Sequence, residues 1–323
     1  MVAMKAITVR RYGSPDVLRI EDLPVPEPGD GQLRIKVAAV AVTSGDVKVR
    51  SFQGIPLLFW LPARLTIGLF RPRHPIPGEN VAGTVEAVGA NVTKFKVGDR
   101  VFGFVGFAGG GCAEYVCVKQ DAAIGFTPEE LSDIEAAGTP FGGMTAYHFL
   151  TKAAMKAGEQ VLIYGASGAV GVAAVQLAKH LSATVTGVCS GKNVERVRTL
   201  GADRVIDYSV EDFTQAGQMF DVVFDTVGKT TYRQVRPVLN AGGRYIPLVF
   251  AGREMLQAMT AKHKIICGVS ADTPEAIDFI RQRILADGYR PVVDRTWPLE
   301  QAAAAHEYVE AGHKVGSVVL TIG

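Results

Sequence analysis

The chain has 323 residues, which exceeds the usual length of a single domain, so we expect two domains. It is 48% hydrophobic and 20% charged with a net charge of +2, a globular composition that excludes wholesale disorder and argues against nucleic acid as a partner. The four cysteines lack paired spacing and the N-terminal residues lack the apolar core of a signal peptide, so we expect a reducing, cytoplasmic location without a disulfide framework.

The first part of the chain, to about residue 125, has the pattern of a β-rich domain. Short apolar runs alternate with Gly, Pro and Asp, which is typical of strands joined by turns. The predicted strands are Lys5–Val9, Gln32–Val42, Gly83–Val88, Arg100–Phe104 and Cys112–Val118. The proline-rich stretch 23–29 is predicted to be a turn-rich connection.

One apolar segment in this region, Ile55–Phe70, needs separate consideration. It has 16 residues with two prolines and an arginine, which makes it too short and too interrupted to span a bilayer. Three interpretations stay open: a packed loop or short helix over the substrate cleft, a protein interface, or a contact with a membrane surface.

From Thr127 to about Arg290 the pattern changes to strands alternating with helices such as Asn193–Leu200. The predicted strands are Val161–Tyr164, Thr184–Cys189, Arg204–Tyr208, Asp221–Thr226, Gly243–Val249 and Lys264–Ser270. Apolar strands joined by crossover helices predict a parallel, doubly wound sheet, and hence an α/β protein. The last segment predicts a helix at Gln301–Tyr308 and a strand at Val315–Thr321 that returns to the first domain.

The first strand of this pattern ends in three regularly spaced glycines, Gly165, Gly168 and Gly171, before an alanine-rich helix over Val172–Leu181. In a dinucleotide-binding turn the first glycine permits the tight bend, the second admits the pyrophosphate and the third lets the helix pack on the sheet. The alternative is a purely structural turn. The context of strand, turn and helix favours dinucleotide binding, with phosphates bound by the backbone amides of Ser167, Gly168, Ala169 and Val170.

Nearly the whole chain resembles the zinc-independent medium-chain dehydrogenase/reductases, on the quinone oxidoreductase (zeta-crystallin-like) branch. The resemblance is carried by the glycine turn together with stretches 12–18, 77–83, 97–102, 113–116, 143–147, 200–203 and 312–316. It implies a GroES-like catalytic domain formed by residues 1–126 and 291–323. It also implies a Rossmann NADP(H)-binding domain at 127–290, and assembly as a homodimer.

Zinc is the first point on which relatives of this family differ. A catalytic zinc needs three protein ligands from Cys, His, Asp or Glu. Relatives that bind zinc carry a cysteine near the position of Thr43, a Gly-His-Glu motif where this chain has Gly78-Glu79-Asn80, and a further cysteine near Phe141. Glu79 is interpreted as a hydrogen-bonded structural carboxylate. We therefore predict no metal site.

The end of the second strand of the nucleotide domain indicates which cofactor is bound. An NAD-specific fold places Asp or Glu there to bind the ribose hydroxyls, whereas this chain has Ser190, Lys192 and Asn193. Asn193 is predicted to cap the following helix. Tyr208 matches a family tyrosine that reaches the 2′-phosphate, and Arg196 is a second basic candidate. The alternative is that the basic residues are solvated surface charges; together, the donors favour NADPH.

The resemblance also places residues on the substrate and nicotinamide sides of the reaction. Thr43 and Lys48 align with the substrate-side loop, although the family's Asn-Pro is Thr43-Ser44 here; the alternatives are a hydrogen-bonded loop residue and a solvated lysine. Asp46 is interpreted as a turn or cap residue. Three further residues are expected near the nicotinamide, namely Thr145, Val249 and Phe250.

These features predict NADPH-dependent reduction of quinones or α,β-unsaturated carbonyls without zinc. Such acceptors delocalise the negative charge of the reduced product, so protonation can follow from water. One alternative is a zinc-free alcohol dehydrogenase or enoyl-thioester reductase, and another is a non-catalytic, crystallin-like NADPH-binding protein. The apolar edge strand Lys264–Ser270 is expected to pair across a homodimer.

Overall fold

A computed structural model of the protein describes residues 2–53, 57–250 and 252–323. For residues 57–59 it describes the backbone but not the side chains. The chain divides into two compact units. The first comprises Met1–Phe141, Asp272–Leu285 and Pro291–Gly323, and the second comprises Gly142–Ala271 and Ala286–Arg290. The predicted domain limits after residues 126 and 290 stay a prediction.

The first unit is built on β-sheet. Its strands are β1 (Ala3–Val9), β2 (Leu18–Pro24), β3 (Gln32–Val42), β4 (Asn80–Val88), β5 (Arg100–Phe104), β6 (Tyr115–Lys119), β7 (Ala123–Phe126), β14 (Val293–Pro298) and β15 (Ser317–Thr321), the numbering leaving β8–β13 for the second unit. Strands β1 and β2 form an antiparallel ribbon, while the larger sheet has the order β14-β15-β3-β4-β5-β7 with β6 also paired to β3. Strand β15 therefore brings the C-terminal segment back beside β3, as predicted.

The second unit is a six-stranded parallel sheet. Its strands are β8 (Gln160–Tyr164), β9 (Thr184–Cys189), β10 (Arg204–Asp207), β11 (Phe220–Asp225), β12 (Leu239–Pro247) and β13 (Lys264–Ile265). Their order is β10-β9-β8-β11-β12-β13, which is the doubly wound order 3-2-1-4-5-6. The predicted combination of a β-rich unit with a parallel, doubly wound sheet is confirmed.

The described residues also form α-helices. They are α1 (Ser44–Ser51), α2 (Leu57–Ile67), α3 (Asp133–Gly138), α4 (Pro140–Lys152), α5 (Ala169–His180), α6 (Val194–Thr199), α7 (Tyr232–Val235), α8 (Gly252–Thr260), α9 (Pro274–Leu285) and α10 (Ala302–Glu310). Among the described residues, no helix is both long enough and apolar enough to cross a membrane.

The parallel sheet is apolar on both of its faces. The successive β8 residues Val161, Leu162 and Ile163 are all fully buried, although neighbouring side chains of a strand point to opposite faces. Helix α5 covers one face with a continuous run of buried residues from Ala169 to Ala178. Burial on both faces explains why these strands appear in the sequence as unbroken apolar runs.

Some predicted elements differ from the structure at their ends. The predicted strand Lys264–Ser270 is wrong in length, because β13 pairs with β12 only at Lys264 and Ile265. The stretch 23–29 begins inside β2, where Pro24 is tolerated because it pairs only with Ala3 at the end of a two-stranded ribbon. The apolar segment contains a short helix, α2; its first residues, Ile55 and Pro56, lie outside the described residues.

Candidate functional site

The predicted cofactor residues lie at one edge of the parallel sheet. Strands β8, β11 and β12 are in register at their carboxyl ends, where Asp225 lies between Tyr164 and Pro247. The chain leaves β8 toward β9 on one side, while β11 lies on the other side. This reversal of strand order opens a crevice at the carboxyl ends of the strands, which is the usual place for a nucleotide in this fold.

The glycine turn after β8 has the close backbone approaches that the spacing predicts. Gly165 has a positive φ of 80°, and a side chain there would meet Thr226 at 2.7 Å. A Cβ on Gly171 would lie 2.1 Å from the carbonyl oxygen of Gly165, so only glycine allows α5 to start here. A Cβ on Gly168, in contrast, would have no contact shorter than 3.5 Å. The space beside Gly168 is therefore open for a ligand.

The first turn of α5 suits an anion. Gly168 is the N-cap residue and provides no side-chain cap, so the amides of Ala169, Val170 and Gly171 have no acceptor within the helix. The amide of Gly168 donates to the Gly165 carbonyl, which removes one of the four predicted phosphate donors. Uncapped amides at the positive end of a helix fit the pyrophosphate of a dinucleotide.

Asn193 connects the glycine turn to the loop after β9. Its side-chain amide donates to the hydroxyl oxygens of Ser167 and Ser190, both at 3.1 Å. Asn193 occupies the N-cap position of α6, but its side-chain oxygen accepts no capping hydrogen bond, so the prediction of a side-chain cap is wrong. The hydrogen bonds bring the predicted residues Ser167, Ser190 and Asn193 together, so that Asn193 fixes one loop against the other.

The basic candidates in this region are exposed. Lys192 and Arg196 both lie on the surface of the second unit, and the described part of the chain provides no partner for either side chain. Tyr208 is 53% exposed and follows β10, with its amide bonded to the carbonyl of Cys189. The phenol of Tyr208 thus follows the end of β10 and the ammonium group of Lys192 follows the end of β9. Both groups are exposed and so accessible to a ligand.

A carboxylate that sequence reasoning missed also lies here. Asp207 accepts hydrogen bonds from the amide and the hydroxyl of Ser209, at 2.9 and 2.7 Å. These bonds, with a further one from the amide of Gly191, hold the pKa of Asp207 below its ordinary value. Asp207 ends the third strand, so a search at the end of the second strand alone does not find it. Its oxygens are already used in fixing the loops.

The residues predicted to lie near the nicotinamide are found in two places, helix α4 and the segment that follows β12. Thr145 is buried in α4, which approaches the glycine turn so closely that a Cβ on Gly142 would lie 2.2 Å from the Ala169 carbonyl. Val249 and Phe250 follow β12, which ends at Pro247 rather than at the predicted Val249. Val249 packs near Gly228, beyond the end of β11.

In the first unit, Thr43 and Asp46 form a capping box at the start of α1. The hydroxyl of Thr43 donates to the Asp46 carboxylate at 2.6 Å and accepts from the Asp46 amide at 3.2 Å. Asp46 also accepts from the amide of Gly78 at 3.1 Å. The interpretation of Asp46 as a cap residue is confirmed, and the hydroxyl hydrogen of Thr43 is directed into the protein. Lys48, on the same helix, is exposed.

Glu79 lies beside this capping box and differs from its predicted role. Its carboxylate has no hydrogen-bond partner among the described residues, so the interpretation as a hydrogen-bonded carboxylate is wrong. A Cβ on Gly45 would be 3.8 Å from Glu79 Oε2 and 3.2 Å from Thr43 Oγ1. Burial, reinforced by the nearby charges of Asp46 and Asp272, raises the pKa of Glu79 well above its ordinary value. Burial and these neighbouring charges therefore favour the protonated form of Glu79.

The region where relatives carry zinc ligands contains no ligand set. Within residues 2–53, 57–250 and 252–323, His, Cys, Asp and Glu side chains nowhere form a group of three able to hold a metal ion. Cys112 lies near Asp46, and its burial raises the pKa of the thiol well above the ordinary value. A thiol that stays protonated is a poor zinc ligand.

Comparison with known proteins identifies families and chains that are similar to this one. The family profile of the alcohol dehydrogenase GroES-like domain matches residues 29–128, and that of the zinc-binding dehydrogenases matches residues 200–320. A chloroplastic quinone oxidoreductase from Triphysaria versicolor is 30% identical over 98% of this chain and 98% of its own length. A chloroplastic NADPH-dependent alkenal/one oxidoreductase from Arabidopsis thaliana is 30% identical over 98% of this chain and 79% of its own.

A solved structure extends the comparison to the fold. The quinone oxidoreductase from Coxiella burnetii is 32% identical, covers 100% of both chains and superposes with a TM-score of 0.89. The chain therefore combines a β-rich unit, a doubly wound sheet and a glycine turn, and its relatives match it over nearly its whole length. The chain belongs to the medium-chain dehydrogenase/reductase family, on its quinone oxidoreductase branch.

Proposed function

We propose that this oxidoreductase reduces quinones or α,β-unsaturated carbonyl compounds with NADPH and without zinc. The observation that carries the proposal is the cradle at the carboxyl edge of the parallel sheet. It combines uncapped α5 amides, an open space at Gly168 and a β9 end that has Ser190 in place of a carboxylate. NADPH bound in this cradle would supply the hydride.

Within the second unit, each group has a proposed task. The α5 amides bind the pyrophosphate, and the hydroxyl of Ser167 is held beside them by Asn193. Lys192 and Tyr208 contact the 2′-phosphate, with Arg196 as a further cation, because a phosphate gains most from charge-assisted donors. The nicotinamide side is assigned to Thr145, Val249 and Phe250.

Substrate-side residues come from the first unit. Lys48 is exposed and has no partner among the residues that the structure describes, whereas the hydroxyl hydrogen of Thr43 is donated to Asp46. We assign to both a contact role and not that of an obligatory proton donor. The product of a quinone or enone spreads its charge over a conjugated system, so water provides the proton. A saturated ketone lacks this delocalisation and needs a Lewis acid or a positioned acid.

The proposal includes a homodimer formed at the β13 edge of the parallel sheet. In the described part of the chain no strand pairs with the outer side of β13. Close to this edge in the sequence, Met259 is 82% and Val269 is 74% exposed. An open strand edge with exposed apolar side chains favours pairing with a second copy. A cytoplasmic location stays a prediction.

Steady-state kinetics with both cofactors and a panel of acceptors test the proposal. Lys192→Ala or Tyr208→Phe is expected to weaken NADPH binding by roughly ten- to hundred-fold while NADH is nearly unaffected, since a charge-assisted contact contributes about 1.5–3 kcal/mol. Lys156→Ala, which removes an exposed lysine elsewhere in the second unit, is the matched control. Equal losses with both cofactors would show that these residues support the fold and do not bind the phosphate.

The acceptor panel addresses the chemistry. Naphthoquinone or alkenals are expected to exceed saturated ketones in kcat/KM by on the order of a hundred-fold, about 2.7 kcal/mol of barrier. Full activity is expected after dialysis against a strong chelator. Activity that chelator abolishes and zinc restores would contradict the zinc-free reaction. Saturated ketone reduction lost in Lys48→Ala would identify the alternative alcohol dehydrogenase, and cofactor binding without turnover would identify the non-catalytic alternative.

A further inference from the structure

The end of α2 and the residues after it expose large apolar side chains. Trp60 is 41%, Leu61 56%, Leu65 56%, Leu69 49% and Phe70 84% exposed. Leu61 and Leu65 are four residues apart and so lie on one helix face. We call these five residues, together with Arg71 and Arg73, the basic apolar patch. Several large apolar side chains exposed within one short segment indicate an interaction surface.

The patch is held in place from beneath by Arg64. The guanidinium carbon of Arg64 lies 4.5 Å from the ring centroid of Tyr12, 3.9 Å from that of Phe52 and 5.1 Å from that of Trp60. Arg64 also donates to the carbonyl of Leu69 at 2.9 Å. Arg64 thus packs on these rings, while Leu61 and Leu65 of the same helix stay exposed.

The residues that follow the helix fold back onto it. The amide of Arg73 donates to the carbonyl of Ile67 at 2.8 Å, and the hydroxyl of Tyr12 donates to the carbonyl of Gly68 at 2.7 Å. Gly68 has a φ of 141°, and a Cβ there would lie 1.9 Å from the Arg71 carbonyl. These contacts place Phe70, Arg71 and Arg73 beside the end of α2.

The charged side chains of residues 47–78 are all positive. Between Asp46 and Glu79 the sequence has three arginines and a lysine besides Arg64, and no Asp or Glu, although the whole chain has a net charge of only +2. Arg50 is buried and paired with Glu310. Arg71 and Arg73 are exposed, and the described residues offer neither side chain a partner. A partner for this surface must therefore be apolar and negatively charged.

We propose that the basic apolar patch docks on the surface of an anionic phospholipid bilayer. Leu61, Leu65 and Phe70 enter the boundary between headgroups and acyl chains, while Arg71 and Arg73 contact lipid phosphates. Exposed Leu and Phe side chains contact the acyl boundary of such a surface, and the exposed arginines after α2 are attracted by its anionic headgroups. The eleven residues of α2 are too few to span a bilayer, so the contact is peripheral. This inference does not depend on the proposed reaction.

Vesicle binding, measured with the full chain, tests the proposal. In Trp297→Phe, Trp60 is the remaining tryptophan of the two in the chain and reports directly on the patch. With vesicles of phosphatidylcholine and one-quarter phosphatidylglycerol, we expect co-sedimentation and a blue shift of Trp60 emission. Pure phosphatidylcholine should bind at least about tenfold more weakly, and added salt should weaken the binding further.

Matched variants separate the apolar from the charged contribution. Phe70→Gln and Arg71→Glu/Arg73→Glu are each expected to reduce vesicle affinity by about tenfold or more. The controls are Val210→Gln, which removes an apolar side chain that is 82% exposed, and Arg233→Glu/Arg236→Glu; neither should change binding. Absence of binding to the anionic vesicles at low salt, or equal losses in the controls, would overturn the proposal. Self-association that is abolished by Phe70→Gln, without vesicle binding, would instead identify a protein interface.

Discussion

At the scale of single residues, the environment of Glu79 could not be predicted from the sequence. Its raised pKa has its origin in burial and in Asp46 and Asp272, which are 33 and 193 residues away along the chain. Only the fold brings these carboxylates together. The same holds for Asn193, whose type and position indicate a helix cap but whose amide bonds to Ser167 across the loop. Local propensity predicts the position of such residues but not their long-range partners.

Glu79→Gln tests whether this carboxyl group is protonated in the folded protein. A raised pKa means that the folded state binds the proton more tightly than the unfolded state, where the ordinary value is about 4.3. The stabilisation is complete below that pH and is lost as pH rises through the folded-state pKa. Denaturant unfolding should therefore show Glu79→Gln gaining stability relative to the wild type from pH 5 to pH 8, on the order of 1 kcal/mol.

The control for this measurement is Glu130→Gln, because Glu130 is exposed and has no partner among the described residues. Its stability relative to the wild type should not depend on pH. A constant difference between Glu79→Gln and the wild type across the same range would show that Glu79 is ionised in the folded protein.

His306 provides a second test, in which the pKa of the folded state is lowered and not raised. It is fully buried in α10, and burial, with the nearby Arg50 charge, lowers its pKa to about 3. Neither ring nitrogen has a partner among the described residues. The unfolded protein takes up a proton near pH 6.5 while the folded protein does not, so stability falls as pH decreases below that value.

Unfolding by denaturant between pH 6.5 and pH 4 measures this effect. The wild type should lose up to about 1.4 kcal/mol per pH unit more than His306→Gln, since one proton is involved. His74→Gln, at an exposed position, should keep the slope of the wild type. Identical slopes for all three proteins would mean that His306 is protonated while folded.

At the scale of elements, the strand–turn–helix unit β8–α5 was the most predictable part of the site. Its glycine spacing predicts both the bend at Gly165 and the close packing at Gly171. The structure shows both, because a Cβ at either glycine would lie less than 3 Å from a neighbouring atom. Strand β14 was missed because all six of its residues are exposed or half-buried and form no apolar run. The length of β13 was overestimated because apolar residues after Ile265 continue the pattern, while the pairing with β12 stops.

Two substitutions in the glycine turn separate its structural from its binding role. Gly171→Ala would place a Cβ 2.1 Å from the Gly165 carbonyl, so we expect a loss of stability of several kcal/mol, about 3 or more. Gly168→Ala would meet nothing closer than 3.5 Å, so Tm should change little. Because its methyl group fills the space assigned to phosphate, Gly168→Ala should weaken NADPH binding by about tenfold or more.

Thermal unfolding and cofactor titration of both variants provide the measurement. If Gly168→Ala binds NADPH as tightly as the wild type, the phosphate does not approach the turn at this position, and the cradle is a structural turn. If Gly171→Ala is as stable as the wild type, the close approach of α5 to Gly165 relaxes at no cost.

At the scale of the whole molecule, the class of fold followed from the sequence because strand periodicity changes from alternating to continuously apolar near the middle of the chain. The return of the C-terminal strand β15 to β3 was also predicted. Ile266, within the predicted edge strand Lys264–Ser270, is only 3% exposed in the single chain, so its substitution would disturb folding before it could report on assembly. Assembly must therefore be tested with residues that the single chain leaves exposed.

Val269→Lys combined with Met259→Lys is that test. Both positions are exposed, at 74% and 82%, and both lie near the open edge of the parallel sheet in sequence. Charges at a paired edge repel across a two-fold axis and cannot be solvated when buried, so the variant should sediment as a folded monomer where the wild type is a dimer. Val210→Lys, at an equally exposed position in the same unit, should remain dimeric. A wild type that sediments as a monomer at micromolar concentration would refute the dimer, and a dimeric double variant would show that the two copies meet at another surface.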